Sequence, residues 1–343
     1  MPQNLADTAL VITSIASDTH PILGQYATQA KNRDLLFIVI GDSKSPTHFE
    51  LPGCSYYSLP AQLDLSFALA KQLPIKHYGR KNLGYLLAIK AGKKIIIETD
   101  DDNIPLNSFW QPRSRTLNTK VIDYQGWVNA YHYFTDQVIW PRGFALEELK
   151  RIPPQAAKEI KLTTCPIQQG LADENPDVDA IYRLTMPLPI DFDPLAPNIS
   201  LGQGAICPFN SQNTTWFEET FPLLYLPSYC SFRMTDIWRS YIAQRIAWTC
   251  DWPITFHTST VRQERNAHSL MSDFSDEIVG YVNNFQIMEK LNALPLASGQ
   301  ENIPYNMRQC YQELIGLGVI GTEEMALLEL WLEHFNGCQN REQ

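Results

Sequence analysis

The sequence predicts an α/β protein in which a mainly parallel mixed sheet is flanked by helices, with an α-helical C-terminal appendage. In the first hundred residues, apolar segments rich in β-branched residues alternate with helical segments. Strands and helices in alternation form parallel sheets that are covered on both faces. Beyond residue 280 the pattern is helical. We therefore predict a sheet-containing domain over residues 1–280 and a helical appendage over residues 281–343.

The first four strands are expected at the apolar, β-branched runs, and the helices between them at longer periodic segments. The predicted strands are Leu10–Ile15, Leu35–Ile40, Cys54–Leu59 and Lys94–Thr99. The predicted helices are Pro21–Lys31, Leu63–Gln72 and Lys81–Ala91, the last stopped by Gly92.

The second half of the chain has a different pattern. Residues 123–222 are rich in Pro, Gly, Asn and aromatic residues, which predicts long ordered loops. Met234–Trp248 has its apolar residues on one side and predicts an amphipathic helix. Three more helices are predicted at Asn284–Leu294, Tyr305–Ile315 and Glu323–Phe335.

Composition excludes several classes of protein. Of 343 residues, 44% are hydrophobic and 19% charged, as in a packed globular protein. The net charge of -10, without a block of basic residues, argues against nucleic acid as a partner. Seven dispersed cysteines without a C-x-x-C pair indicate a reducing compartment. Because Met1–Asp7 lacks a basic region and no apolar run is long enough to span a membrane, we expect a cytoplasmic protein.

An acidic cluster follows the fourth predicted strand. Asp100, Asp101 and Asp102 come directly after Ile95-Ile96-Ile97-Glu98-Thr99. Carboxylates this close repel one another unless a cation or hydrogen bonds compensate. A buried strand makes simple solvation a poor explanation, and hard oxygen ligands suit Mn²⁺ or Mg²⁺. The pattern predicts a divalent metal site.

Two other aspartates follow predicted strands, and all three strand ends should meet at one edge of the sheet. Asp42 follows the second strand and Asp18 the first. Ligands of such sheets bind beyond the carboxyl ends of the strands. For Asp18, a loop-capping role is an equal alternative.

The helix that precedes the acidic strand opens with Arg80, Lys81 and Asn82. Cationic side chains and free N–H groups at a helix N-terminus favour anionic ligands. Asn82 would cap the helix or contact a sugar or base. The alternative is a capped surface helix with flanking charges.

Taken together, these motifs resemble the donor site of GT-A glycosyltransferases, and the chain as a whole resembles the catalytic region of the STELLO family, known from plant Golgi membranes. A more distant similarity is to UDP-arabinopyranose mutases, which also have a triple-aspartate centre. The segments that carry the resemblance are Val39–Asp42, Arg80–Tyr85, Glu98–Asn103, Trp140–Gly143, Gln168–Gly170, Pro176–Asp179, Asn210–Thr214, Thr235–Arg239 and Phe274–Glu277.

The resemblance implies a GT-A fold, a UDP-sugar donor and roles for the strand-end residues. Asp42 would accept from the nucleotide base. Asp100 would orient a ribose or sugar hydroxyl and, with Asp101 and Asp102, hold Mn²⁺ or Mg²⁺. Lys81 and Arg80 would neutralise the diphosphate. A Golgi location is not carried over, because no membrane anchor is expected here.

Transfer with inversion also needs a general base, and Asp236 is the candidate. It opens the predicted helix, with Arg239 one turn on; helix capping with a local ion pair is the alternative. Trp140 and Arg142 would form a sugar platform, although Trp140 fits core packing equally well. A late histidine, His268 or His257, would be an additional metal ligand or a structural residue. The remaining expected substrate-binding residues are Gln169, Asp177, Asp179, Asn213 and Arg265.

The predicted function is therefore metal-dependent transfer of a sugar from a nucleotide-sugar to a carbohydrate acceptor, a glycan or glycolipid. Two alternatives stay open: a nucleotide-sugar mutase, and a catalytically silent carbohydrate-binding or scaffold module. A homo-oligomer formed through the C-terminal helices is a further expectation.

Overall fold

The computed structural model of the chain describes residues 4–264 and 269–335. The strands are β1 (Thr8–Thr13), β2 (Leu36–Ile40), β3 (Ser55–Tyr57), β4 (Ile95–Thr99), β5 (Asn103–Pro105), β6 (Thr116–Ile122), β7 (Gly126–Trp127), β8 (Lys161–Thr164), β9 (Ile167–Asp173), β10 (Asn198–Leu201), β11 (Ala205–Ile206), β12 (Asn213–Phe217) and β13 (Ile254–Gln263). The α-helices are α1 (Pro21–Arg33), α2 (Leu59–Leu63), α3 (Ala68–Gln72), α4 (Lys81–Lys90), α5 (Ala180–Thr185), α6 (Thr235–Ala247), α7 (Leu270–Ala293), α8 (Ile303–Gly316) and α9 (Glu324–Leu332).

One large mixed sheet organises the fold. Its strand order is β3-β2-β1-β4-β12-β9-β13-β10-β6-β8, and β5 pairs with β13. The first four strands in this order are parallel. β12 then runs antiparallel to both β4 and β9, and the second half mixes antiparallel pairs with the parallel pairs β9–β13 and β10–β6. The predicted α/β fold with helices on the sheet is confirmed, and continuous parallel pairing is confined to the N-terminal strands.

The parallel half has the layered packing that its apolar strands predict. In β1, Ala9 to Ile12 are all buried, because α1 covers one face of the sheet and α4 the other. Gly84 allows α4 to approach closely: a Cβ atom at this position would lie 2.4 Å from Cγ1 of Val11. These two helices hold the carboxyl ends of β1, β2 and β4 at one edge.

The central region differs from the loops predicted for residues 123–222. β7 to β12 lie in this region: β8, β9, β10 and β12 belong to the second half of the large sheet, and β7 pairs with β11 in a separate two-stranded sheet. The sequences of β9 (IQQGLAD) and β12 (NTTWF) lack a simple apolar alternation, although most of their residues are buried. Their polar side chains hydrogen-bond to each other inside the protein. The polar sequence of these segments therefore did not indicate exposed loops.

Helix α6 is also more enclosed than predicted. Every one of its residues except Arg245 is buried, polar ones included. The helix is surrounded by α7, α8 and neighbouring short helical turns, so it has no solvent-facing side. The expected amphipathic helix is a core helix.

The C-terminal helices pack onto the sheet-containing part of the chain. The predicted boundary at residue 280 falls inside α7, which continues to Ala293. Trp331 of α9 is fully buried and donates from Nε1 to the Pro222 carbonyl (2.8 Å). Glu324 accepts hydrogen bonds from the Ser228 and Tyr229 backbone N–H groups. The helices therefore share one hydrophobic core with the sheet.

Candidate functional site

A cavity of about 550 Å³ opens at the carboxyl ends of β1, β2 and β4. This is the edge at which the sequence predicted a ligand site. The residues that line the cavity are Thr13, Ser14, Ile15, Ile40, Gly41, Asp42, Ser43, Lys44, Lys76, His77, Tyr78, Arg80, Asp100, Asp101, Asp102, Arg142, Asp177, Gln212, Phe232, Arg233, Asp236 and Gln263.

The three aspartates after β4 all reach this cavity. Asp100 accepts from the Tyr78 hydroxyl (2.8 Å), and Asp101 accepts from the Ser14 hydroxyl. Asp102 accepts at Oδ2 from Nε2 of Gln263 (3.0 Å). Its other carboxylate oxygen, Oδ1, is buried and has no hydrogen-bond partner among the described residues. An orphaned buried carboxylate oxygen is costly unless a proton or a cation occupies it.

Burial shifts the acidity of this cluster. Burial, reinforced by the charge of Asp100, raises the pKa of Asp102 to about 7. Burial also raises the pKa of Asp100, although the Lys81 ammonium opposes the shift. Neighbouring carboxylates repel one another when they are ionised, and a divalent cation would stabilise their ionised forms. The donor set of Asp100 and Asp102 therefore fits a hard cation such as Mn²⁺ or Mg²⁺.

Asp42 also lines the cavity, just after the end of β2. Its Oδ1 accepts from the Ser43 N–H and its Oδ2 from the His77 N–H (3.1 Å). Asp18, the other predicted strand-end aspartate, is outside the cavity lining and accepts from the Glu50 N–H (2.9 Å). This hydrogen bond fits the alternative role of Asp18, in which it caps a loop.

Lys81 is fully buried and supports the acidic cluster from within. Its Nζ donates to the Thr99 carbonyl (2.8 Å) and the Tyr78 hydroxyl (2.7 Å), and lies 3.4 Å from Oδ1 of Asp100. It is not part of the cavity lining. The ammonium therefore acts through Asp100, and not through the direct phosphate contact that was predicted.

Arg80 and Asn82 also make interior contacts. The Arg80 guanidinium donates to Gln62 Oε1 and to the Leu73 carbonyl (2.7 and 2.9 Å), so a phosphate role is not favoured. Asn82 bonds to both the N–H and the carbonyl of Leu226 (2.9 Å each). Its predicted cap or sugar contact is replaced by a tie between α4 and the segment before α6.

Arg142 joins two carboxylates on the far wall of the cavity. Its Nε and Nη2 donate to Oδ1 and Oδ2 of Asp177 (2.8 Å each). Its Nη1 and Nη2 donate to Oδ1 and Oδ2 of Asp236 (3.1 and 3.0 Å), and Nη1 also donates to the Arg233 carbonyl. These contacts use all five N–H donors of the guanidinium. Arg142 therefore holds Asp177 and Asp236 in place, and its N–H donors are not available for the predicted sugar platform.

The environment of Asp236 disfavours the predicted general base. Burial alone would raise its pKa, but the Arg142 charge and hydrogen bonds outweigh burial and hold the pKa at about 2. Oδ2 also accepts from the N–H and hydroxyl of Ser211 (3.2 Å each). The predicted partner Arg239 instead pairs with buried Glu98 (2.8 Å).

Four other predicted substrate residues lie in the interior. Trp140 is buried and donates from Nε1 to Asp179 (2.7 Å), so the core-packing alternative holds. Asp179 caps α5 through the Tyr182 N–H (2.7 Å), and burial raises its pKa to about 6. Gln169 and Asn213 bond within the sheet and are not in the cavity lining. Sequence reasoning took these polar residues for site residues because burial could not be seen.

His257 is partly buried on β13, outside the cavity lining, and desolvation lowers its pKa to about 4. Arg265 and His268 lie outside the described residues. In the described part of the chain, no group of three or more histidine, cysteine, aspartate or glutamate side chains is arranged to hold a metal. Metal coordination at the cluster therefore stays a prediction.

Sequence reasoning missed several residues of the cavity. Ser14 lies at the end of β1, so the strand-end rule that indicated Asp42 could have found it. Tyr78 lies one turn before α4, beside the basic residues already singled out. The cationic residues Lys44 and Lys76 had no such signal, because loops bring them to the cavity.

The fold and the cavity define an α/β protein with an acidic cavity at the carboxyl edge of its sheet. The chain resembles the STELLO glycosyltransferases: the sequence model of that family matches residues 233–339. It is 30% identical over 281 residues to "Probable glycosyltransferase STELLO2" of Arabidopsis thaliana, a match to 75% of this chain and 36% of the relative. The resemblance to this family predicted from motifs is thereby confirmed.

A second relative, "Probable glycosyltransferase STELLO1" of Arabidopsis thaliana, is 31% identical over 237 residues, 64% of this chain and 31% of the relative. The chain thus spans about a third of the length of these curated relatives. A solved structure titled "Crystal Structure of a Mycobacterial Protein" aligns with 81% of this chain and 74% of its own, with 10% identity and a TM-score of 0.38. Within the described residues, no helix has both the length and the apolar character needed to cross a membrane.

Proposed function

We propose that this chain is a metal-dependent glycosyltransferase that takes a sugar from a nucleoside diphosphate donor, a UDP-sugar, and passes it to a carbohydrate acceptor. The observation that carries the proposal is the acidic cluster in the cavity, with its unpartnered Asp102 Oδ1. The names of the two Arabidopsis relatives support the reaction class.

Asp100 and Asp102 would hold the cation, with Asp101 fixed beside them by Ser14. The cation would supply a positive charge that offsets the charge growing on the diphosphate leaving group. Lys81 holds Asp100 in place from below. Asp42 would accept from the base at the other end of the cavity, where His77 fixes its carboxylate.

The phosphate contacts are reassigned to residues that line the cavity. Since Arg80 and Lys81 donate to interior groups, we assign the phosphate charge to Lys44 and Lys76, which are exposed and line the cavity. Cations that face a cleft stabilise a diphosphate more effectively there than in open solvent. Asp236 becomes a positioning residue that, with Asp177, fixes Arg142.

Calorimetry with UDP, with and without Mn²⁺, tests the proposal. The wild-type chain should bind UDP at least about tenfold more tightly with Mn²⁺, a difference of about 1.4 kcal/mol. Asp102→Asn keeps the shape of the side chain and should remove this dependence. Asp18→Asn, an aspartate outside the cavity lining, is the matched control and should behave as wild type. Equal UDP affinity with and without metal would reject the metal-dependent donor site.

A further inference from the structure

Phe232 lies at the mouth of the cavity with 55% of its surface exposed. Single exposed apolar side chains are common on proteins and need no explanation by themselves. Phe232 is different because the groups around it are held in place, as its ring contacts and its backbone show.

The ring stands against two residues that are tied to the acidic site. Its centroid lies 6.1 Å from those of His77 and Tyr78, with interplanar angles of 77° and 76°. The His77 N–H donates to Asp42, and the Tyr78 hydroxyl donates to Asp100. Edge-to-face contacts of this kind fix the orientation of a ring without covering it completely.

The backbone at Phe232 is also anchored on both sides. The Ser231 hydroxyl donates to the Asp276 carbonyl (2.6 Å), and the Met234 N–H donates to the Ser231 carbonyl (2.8 Å). Arg233 donates from Nε to Glu277 (2.9 Å). The exposed ring is therefore presented from a braced turn, and little conformational entropy would be lost when a ligand packs on it.

The cavity is also lined by carboxylates that can accept hydrogen bonds from hydroxyl groups. Each oxygen of Asp177 accepts one hydrogen bond from Arg142, which leaves acceptor capacity on both. An apolar ring face and carboxylate acceptors that line one cavity match a sugar, whose C–H face is apolar and whose edge carries hydroxyl donors. The negative face of the aromatic ring attracts the weakly positive C–H hydrogens.

We propose that Phe232 is the stacking platform of a saccharide subsite at the cavity mouth, which takes the sugar ring of the acceptor, with Asp177 receiving its hydroxyl groups. This inference rests on the proposed function, in which the nucleotide occupies the Asp42 end of the cavity. Arg142 donates both to the Arg233 carbonyl, next to Phe232, and to Asp177, and on this link we assign the subsite to the acceptor.

Saturation-transfer NMR titrations with methyl β-glucopyranoside, β-galactopyranoside and β-xylopyranoside test the subsite on the full chain. Wild type should bind at least one glycoside, and Phe232→Ala should weaken that binding by about three- to tenfold. Phe232→Trp, which keeps an aromatic face, should restore it. Tyr305→Ala removes a 50% exposed ring outside the cavity lining and should change nothing. Calorimetry with UDP and Mn²⁺ should show the same affinity in all variants.

Each other result overturns the subsite. Wild type that binds none of the three glycosides contradicts it, and so does unchanged glycoside binding in Phe232→Ala. An equal loss of UDP affinity in Phe232→Ala would place the ring on the nucleotide. If UDP binding proves independent of metal while the Phe232 effect on glycosides persists, the donor-site proposal fails and the saccharide subsite stands.

Discussion

Asp236 shows how a single neighbour reverses the chemistry expected from a position. At the start of a helix in a cavity, a buried aspartate is a natural candidate for a general base. Arg142 occupies both of its oxygens, however, and lowers its pKa to about 2 against an ordinary 3.8. A carboxylate with so low a proton affinity stabilises charge and geometry better than it removes a proton.

The low pKa of Asp236 predicts a pH dependence of stability. Because the folded-state pKa is depressed, ionised Asp236 stabilises the fold above about pH 4, and this contribution is lost as the pH falls through about 2. The ionised carboxylate should contribute on the order of 2 kcal/mol to the free energy of unfolding. Asp236→Asn should remove this loss, so urea titrations between pH 4 and 2 should show a shallower fall in the free energy of unfolding than in wild type. Parallel curves would contradict the assignment.

Two lysines near the acidic cluster should respond in opposite ways. Lys81 is buried against Asp100 and Thr99, so Lys81→Met leaves a buried carboxylate without its cation and should lower the free energy of unfolding by about 3 kcal/mol. Lys76 is exposed and lines the cavity, so Lys76→Met should leave the free energy of unfolding unchanged. It should lower the affinity for UDP by about three- to tenfold more than the affinity for uridine, because uridine has no phosphate. Calorimetry and urea unfolding measure both. Equal losses of UDP and uridine in Lys76→Met would remove Lys76 from the phosphate site.

At the scale of elements, the C-terminal helices form part of the core. Trp331 of α9 is fully buried and bonds to the Pro222 carbonyl. Trp331→Ala should therefore lower the free energy of unfolding by about 3–5 kcal/mol in a single transition that includes the sheet. Tyr305→Ala on α8, half exposed, is the control and should cost well under about 1 kcal/mol. Separate melting of the helices, with the sheet unaffected, would contradict the shared core.

The N-terminal elements could be predicted from sequence because local signals and tertiary structure agree there. β1, β2 and β4 are apolar runs buried on both faces, and α4 begins at Lys81 and ends at Lys90, within one residue of its prediction. β9 and β12 could not be predicted, because their buried polar residues satisfy each other only after the chain has folded. Their hydrogen bonds join residues far apart in the sequence, which no local pattern reveals.

The residues of the candidate site also divide into those that the sequence could locate and those that it could not. Strand ends located the acidic triplet and Asp42 correctly at one cavity, because that rule depends on topology alone. It could not distinguish cavity-facing side chains from interior ones, so Lys81 and Trp140 were given ligand contacts that their burial does not support. The direction in which a side chain points depends on packing between distant segments.

At the scale of the whole molecule, this acidic protein has a cavity that is lined by a cluster of aspartates and also by cationic side chains. The net charge is -10, and Asp100, Asp101 and Asp102 meet at one sheet edge. Three ionised carboxylates would repel an anionic diphosphate, and the proposed function therefore includes a cation that bridges the two. The account of the molecule as a glycosyltransferase therefore depends on the metal joining these carboxylates to the donor.

A crystal structure of the chain with UDP and Mn²⁺, with anomalous data at the manganese edge, tests this claim most directly. The account predicts an anomalous peak in coordinating distance of Asp102 Oδ1 and of a diphosphate oxygen, with the uracil near Asp42. UDP bound in the cavity with no manganese at Asp100 to Asp102, or bound elsewhere on the molecule, would contradict it.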